Sequence, residues 1–486
     1  EMKKSIYNII MVCAGLHFAS CEKTLNVIPD SEFSPANVLT SEAGLKAILI
    51  SSYAAMQSPV NTRNLINISE MTTDMAFNSG GAENLYLTQF INFTWDPSIA
   101  IVQDNVWATY YRCVRDANIV LENIDASNAT AASKKLFKAE ARVLRAHAFN
   151  VLYTWFGPVP LRISSTGEPD LAKATDTEFN AFIEKELNEA VPDLPVPGQE
   201  EAYGRLNQGS GYSILTKFAL NSKQWQKAAD ASQKVIAFNY YSLFASFKDL
   251  FRTTNEGNRE MILIQPARAE AGYGNWFAAG ALPPAFKTSS EIPEFIYTTS
   301  MANFATQYRL RTAFVNTLAA NDRRRQLIIT KYTNLSNVEV NLMSTADNAR
   351  SLKYWDNATV GNDGGNDIPG IRYADILLSR AEALNELSGP TQAAVDNLNL
   401  VRVRAGLDAL TLAGVGSKEA FRDIILRERG WEFISEGKRR EDLIRHGKFI
   451  TMATQRGVNA AARHVLFPIP QSEVDANKLM KQNDGY

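Results

Sequence analysis

Ser417 is a good N-cap for a helix beginning at Lys418, and Phe421, Ile424 and Ile425 mark the apolar face of that helix. Three- and four-residue steps along the same face land next on Glu428 and Glu432, and then on Glu436 if the helix lasts that far. Carboxylates therefore fall on the stripe that turns inward. A buried carboxylate without a partner is strongly destabilising, so any fold of this chain must bring cations to that stripe. In the stretch "ERGWEFISEGKRREDLIRHG", residues 428–447, the nearest cations are Arg439, Arg440 and Arg445, beyond a break at Gly437. Arg380, Arg402 and Arg404 are other sources. The spacing predicts a structural ion-pair cluster of Glu428, Glu432, Arg439, Arg440 and Arg445, clamping one element to another rather than performing chemistry.

The chain is long enough for one large domain with a well-buried core, and its formal net charge of −2 leaves no basic excess for a nucleic-acid partner. At the N-terminus, Lys3 and Lys4 precede the apolar run "SIYNIIMVCAGLHFAS", which is too short to span a bilayer and ends in Ala19 and Ser20 directly before Cys21. This order looks like a bacterial lipoprotein signal. Residues 1–20 are expected to be removed as a signal peptide and Cys21 to be lipidated. Residues 21–40 are expected to form a tether, giving a membrane attachment through lipid without a span. The mature chain would then keep Cys113 alone, so no internal disulfide could support it.

Helical periodicity runs through residues 42–56, 106–124 and 134–155. Residues 211–222 and 224–238 form a candidate helix pair, with Ala219 and Ala228 as small residues at the crossing. The outline recurs at 371–387 and 391–405 with Ala381 and Ala394. Small residues at a crossing are what close antiparallel packing needs, and the spacing is like that of tetratricopeptide repeats. Residues 71–96 and 253–366 are irregular and rich in turn formers and aromatics. The expected architecture is a single domain over 41–486, mostly α, with tetratricopeptide-like helix pairs forming a scaffold that carries long irregular insertions at about 71–96 and 253–366.

No catalytic signature stands out. His147, His446 and His464 are not at metal-ligand spacing, "GSG" at 209–211 lacks the flanks of a nucleophile elbow, and "GNDGGND" at 361–367 reads as a plain turn. No metal and no cofactor are expected. Two carboxylates suited to glycoside hydrolysis can be picked out of any acid-rich chain, so a surface glycosidase stays open as a distant alternative.

Five stretches in order carry a resemblance. They are the lipoprotein-like start, "EARVLRAHAFNVLYTWFGPVPL" (140–161), "DIPGIRYADILLSRAEALNE" with "LNLVRVRAGL" (367–386 and 398–407), the charged stretch above, and "LFPIPQSEVDANKLMKQNDGY" (466–486). Together they resemble the SusD/RagB family of Bacteroidetes outer-membrane lipoproteins, with small departures at His446 and Asp484. The resemblance implies a SusD-like fold, with four tetratricopeptide-like helix pairs supporting an irregular ligand region. It also implies a surface-exposed, lipid-anchored place on the cell outer membrane and a role in polysaccharide utilisation. The protein would capture a glycan or oligosaccharide and pass it, as a lid, to a SusC-like TonB-dependent outer-membrane transporter. Such proteins are binders and not enzymes, and a peptide-binding, RagB-like member is the alternative. By the same resemblance the ligand site is drawn from the two insertions. Here that points to Asp74, Asn84, Tyr86, Phe90 and Trp95, then to Tyr273, Trp276 and Phe277. Aromatic faces suit the C–H faces of sugar rings, and Trp276, flanked by Gly, Tyr and Asn, leads the set. Trp155, Trp225 and Trp431 lie in scaffold motifs and are expected in the core.

Overall fold

A computed structural model of the protein describes residues 35–486 apart from Thr306. The signal segment, Cys21 and the first part of the tether lie outside the described residues. Residues Pro35–Thr40 already form a short helix. The Thr40 carbonyl accepts the Asn128 N–H at 2.9 Å. The folded body therefore begins before the expected residue 41.

The first half of the chain is helical. Helix α1 (Glu42–Met56) is capped by the Ser41 side chain, which accepts the Gly44 N–H. Helix α2 (Pro59–Met71) leads to a two-residue strand β1 (Ala76–Phe77) and helix α3 (Asn84–Asn92). Helix α4 (Thr109–Asn123) then pairs with α5 (Ala131–Phe156), and α1 lies across both. Helix α6 (Asp176–Ala190) starts at a Thr175/Glu178 capping box and packs on α5. Helices α7 (Gln208–Asn221) and α8 (Trp225–Ala237) form the next antiparallel pair.

After α8 come strand β2 (Met261–Gln265), a short helix α9 (Phe277–Ala281), strand β3 (Arg309–Leu310) and strand β4 (Ile368–Arg372). Helices α10 (Tyr373–Ser388) and α11 (Gln392–Arg404) form the last expected pair, with α8 and α12 (Lys418–Glu432) packed against α10. Helix α13 (Arg439–Arg445) follows a turn. The fold is thus mostly α, with helix pairs where the small-residue pattern places them. Among the described residues, no helix is long and apolar enough to cross a membrane.

The stripe of α12 continues inward as its period requires. Phe421 and Ile425 are buried, each contributing about 2 kcal/mol of apolar burial, and Glu428 and Glu432 are 0 % exposed. Their partners include Arg402 and Arg404, named above as other sources, but not Arg439, Arg440 or Arg445. Glu428 receives Arg324 at 2.6 Å and Arg402 at 2.8 Å. Glu432 receives Arg372 at 2.5 Å, Arg324 at 3.3 Å and Arg404. Arg372 also binds Glu260 at 2.7 Å and Glu436 at 2.8 Å, so one guanidinium joins three buried carboxylates. Burial would raise the Glu432 carboxyl, but Arg404, Arg372 and Arg324 outweigh it and hold it at about 2.

Arg439, Arg440 and Arg445 do not join this cluster. Arg439 clamps Asp74 with two bonds of 2.8 Å. Arg445 grips Glu382 at 2.5 Å and Asp442 at 2.7 Å. Arg440 donates to the Val465 carbonyl at 2.7 Å and lies 4.6 Å over the Phe467 ring. The reason is the turn at Gly437, whose φ of 73° redirects the chain as α13 begins. The stripe of α12 instead meets α11, β4 and the 322–324 segment of the central insertion.

Glu70, at the end of α2, holds that turn. Its Oε1 accepts the N–H groups of Glu436 (3.1 Å) and Gly437 (2.8 Å), and the Tyr308 hydroxyl donates to Oε2. Burial pushes the Glu70 carboxyl up from 4.5 to about 7. The folded state therefore holds this proton more tightly than the unfolded chain, and stability falls as pH rises from 4.5 through 7. Glu70→Gln keeps the Oε1 acceptor and can donate to the Tyr308 oxygen. In chemical denaturation it is expected to remove that decline between about pH 5 and about pH 8. An equally steep decline in the variant would show that Glu70 is not its source.

Candidate ligand-binding surface

The two irregular insertions are brought together by strand pairing. β1 pairs antiparallel with β3 in the register Ala76↔Leu310 and Phe77↔Arg309. Side chains lock the join. Asn78 Nδ2 donates to the Gln307 carbonyl at 3.0 Å, and Arg63 donates to Gln307 Oε1 at 2.8 Å while binding Glu83 at 2.7 Å.

Within this region the eight expected contact residues separate. Asp74 is committed to Arg439, whose guanidinium outweighs burial and keeps its carboxyl below the usual range. Phe90 is 0 % exposed and Trp95 is 2 % exposed. Their rings pack 6.0 Å apart, with Phe93 and Phe467 close by, and Trp95 Nε1 donates to the Tyr486 hydroxyl at 2.8 Å. Phe277 is 1 % exposed, against Tyr308 and Tyr354 with centroids at 4.7 and 5.2 Å. None of Phe90, Trp95 and Phe277 offers a face to a ligand, and Asp74 is a structural ion pair. The physical cause is common to them: an insertion with little regular structure still needs its own core, and its aromatics supply it. Asn84 and Tyr86 sit at the start of α3. Asn84 Oδ1 accepts the Thr88 hydroxyl at 3.1 Å, and Tyr86 is half-buried beside Glu83, with burial and that carboxylate pushing its hydroxyl pKa up.

Tyr273 and Trp276 remain open to solvent. Tyr273 is 58 % exposed, with the Arg268 guanidinium 4.6 Å over its ring. Trp276 is half-buried and held at its edge, because Nε1 donates to Asp363 Oδ1 at 2.8 Å. The same oxygen accepts the Gly274 N–H at 3.1 Å. Asn275 and Gly364 exchange backbone bonds of 2.8 and 3.1 Å, which staples the Trp276 loop to the 356–366 turn. Gly274 is required there, since a Cβ would lie 2.3 Å from that of Asp363. The Phe304 ring stands edge-on to Trp276 at 6.4 Å, and the Ala302 N–H reaches the Gly361 carbonyl at 2.6 Å. The result is an aromatic pair of Trp276 and Phe304 over a fixed backbone, with the exposed Tyr273 close by in the same loop. Such a surface can stack on an apolar ring face while nearby polar groups bond hydroxyls.

Phe304 on this surface and Asp363 buried beneath it are residues that sequence reasoning missed. Asp363 lies 87 residues from Trp276 in a stretch that reads as a turn, and nothing in the local pattern marks either residue as its partner. Among the described residues, no group of three or more His, Cys, Asp or Glu side chains is placed to hold a metal ion.

Comparison with known proteins agrees with the fold. Residues 249–486 match the model of the SusD family, and residues 23–220 match a family described as "Starch-binding associating with outer membrane". A SusD-like protein of Formosa agariphila is 24 % identical, covering 96 % of each chain. The starch-binding protein SusD of Bacteroides thetaiotaomicron is 26 % identical, covering 87 % of this chain and 85 % of its own. A solved laminarin-binding SusD-like protein superposes with a TM-score of 0.78 at 23 % identity, over 92 % of this chain and 100 % of that one, a likeness of fold. Two family models that between them span most of the chain, together with a fold of the same kind, place this protein in one group: it belongs to the SusD/RagB family.

Proposed function

We propose that the protein is a cell-surface glycan-binding lipoprotein that captures an oligosaccharide or polysaccharide on the surface of Tyr273, Trp276 and Phe304. The observation that carries this reading is the Trp276 indole, fixed at its edge by Asp363 and left partly open beside Phe304. A ring held in place before binding loses little freedom when a sugar stacks on it. Asn84 and Tyr86, on the neighbouring insertion, flank the site in this reading. The relatives support a glycan as ligand: one is a starch-binding protein by name and another a laminarin-binding one. The finer parts rest on the family. They are a lipid anchor at Cys21, a place at the outer membrane, and delivery as a lid to a SusC-like TonB-dependent transporter. The role is capture and hand-over rather than catalysis.

Calorimetry of the mature protein against soluble α- and β-glucans, other glycans and a set of peptides tests this. Binding to at least one glycan, with no new reducing ends after prolonged incubation, is the expected result. Binding to peptides alone would replace the glycan reading with the RagB-like one, and hydrolysis would replace it with a glycosidase. Copurification with a large β-barrel would test the transporter link separately.

A further inference from the structure

A half-open cavity of about 150 Å³ lies in the scaffold, between α2, α4, α5 and α7, the β2–β4 ribbon and the Gly437 turn, and shares no lining residue with the Trp276 surface. Its wall is mixed. Aliphatic and aromatic side chains make up one part, and the other is polar, including His147, Lys217, Gln265, Lys438, Glu441 and Glu436, the last paired with Lys353 and Arg372.

The charges in the wall answer one another. Lys217 Nζ is 2.7 Å from Glu441 and 3.4 Å from Asp375, and Lys438 donates to the Gly370 carbonyl. An ionic guest would upset that balance, which argues for a neutral one. Two polar atoms of the wall, His147 Nδ1 and Gln265 Oε1, are buried without a hydrogen-bond partner. Burial and the Lys438 charge push the His147 pKa down to about 4, so the imidazole is neutral near pH 7 and can donate at one nitrogen and accept at the other. Buried polar atoms of this kind need a partner, and apolar walls alone would leave such a space dry.

We propose that this cavity is a second binding site, for a small neutral polyol. Hydroxyl groups both donate and accept, so one molecule can satisfy Gln265 Oε1, the His147 nitrogen and the remaining Lys438 protons. Its C–H groups would meet the apolar wall. The volume suits a guest of roughly benzene size, about six to eight heavy atoms, and excludes an oligosaccharide. A guest here would touch the scaffold helices, the ribbon and the Gly437 turn at once, so its binding would stabilise the folded chain as a whole.

Glycerol is the probe. Saturation-transfer NMR of glycerol with the full mature protein is expected to show binding. Gln265→Leu, which keeps the side-chain size and removes the acceptor, is expected to weaken it by about tenfold or more. Thr62→Leu, which narrows the cavity from α2, is expected to do the same, so that the test survives if one variant fails to fold. Glycan affinity at the Trp276 surface is expected to stay unchanged in both, which separates this proposal from the main function. No transfer to glycerol at about 100 mM, or equal transfer in wild type and both folded variants, would overturn it and leave a water-filled space.

Discussion

Replacing Arg372 with Met is expected to lower the stability of the protein by about 4 kcal/mol or more, enough to unfold many single domains. Arg372 is 1 % exposed and binds Glu260, Glu432 and Glu436, all of them buried. Its loss would leave these carboxylates to Arg404, Arg324 and Lys353, of which Arg324 also serves Glu428 and Asp322, so one buried negative charge stays without a balancing cation. The cost is therefore the desolvation of charges left behind, not the value of one ion pair. Adding Glu432→Gln to the Arg372→Met chain removes one stranded charge, so the double variant should recover part of the loss. As a control, Arg422→Met breaks a partly exposed pair with Glu386 and should cost about 1 kcal/mol or less. Urea unfolding of the four proteins measures this, and an Arg372→Met cost as small as that of Arg422→Met would refute the network as the clamp of the fold. The same network sets an acid limit. Glu432 is held at about 2 against 4.5 in its free form, so its contribution is complete above pH 4.5 and is lost as pH falls towards 2.

The α12 network also marks how far the sequence can be read. That Glu428 and Glu432 would be buried follows from the helical period, because Phe421 and Ile425 fix which face turns inward. Which arginines would meet them follows only in part: Arg402 and Arg404 are among the sources in the sequence, whereas Arg324 and Arg372 are not. Arg324 is 104 residues from Glu428, and Arg372 is 60 residues from Glu432. Arg439 and Arg445 are close in sequence, but Gly437 turns them towards Asp74 and Glu382. The helix pairs were legible because close packing leaves small residues at regular steps. The proposed ligand surface is legible in part. Trp276 stood out through its glycine neighbours, whereas Phe90, Trp95 and Phe277 carried the same aromatic signal and form the insertions' own core. Composition says that a segment holds aromatics; the β1–β3 pairing and the Asn275–Gly364 staple decide which of them face out.

Trp276→Ala carries the largest expected effect on binding. In the proposed site, removing the indole would take away the flat partner of a sugar ring, a loss of about 1.4 kcal/mol or more, which is about tenfold in affinity. Thermal stability should change little, because the ring is half-buried at the surface and its one hydrogen bond ends on Asp363, which still accepts the Gly274 N–H. Asp363→Ala should lower affinity less, since it frees the ring without removing it. Phe90→Ala should act in the opposite sense, destabilising the fold by about 3 kcal/mol with no direct effect on the ligand in the protein that remains folded. The decisive measurement is calorimetric titration of wild type and Trp276→Ala with a glycan that the wild type binds. A drop of about tenfold or more at unchanged melting temperature is the result the site requires. Equal affinity in the two proteins would contradict it and place the ligand elsewhere on the molecule.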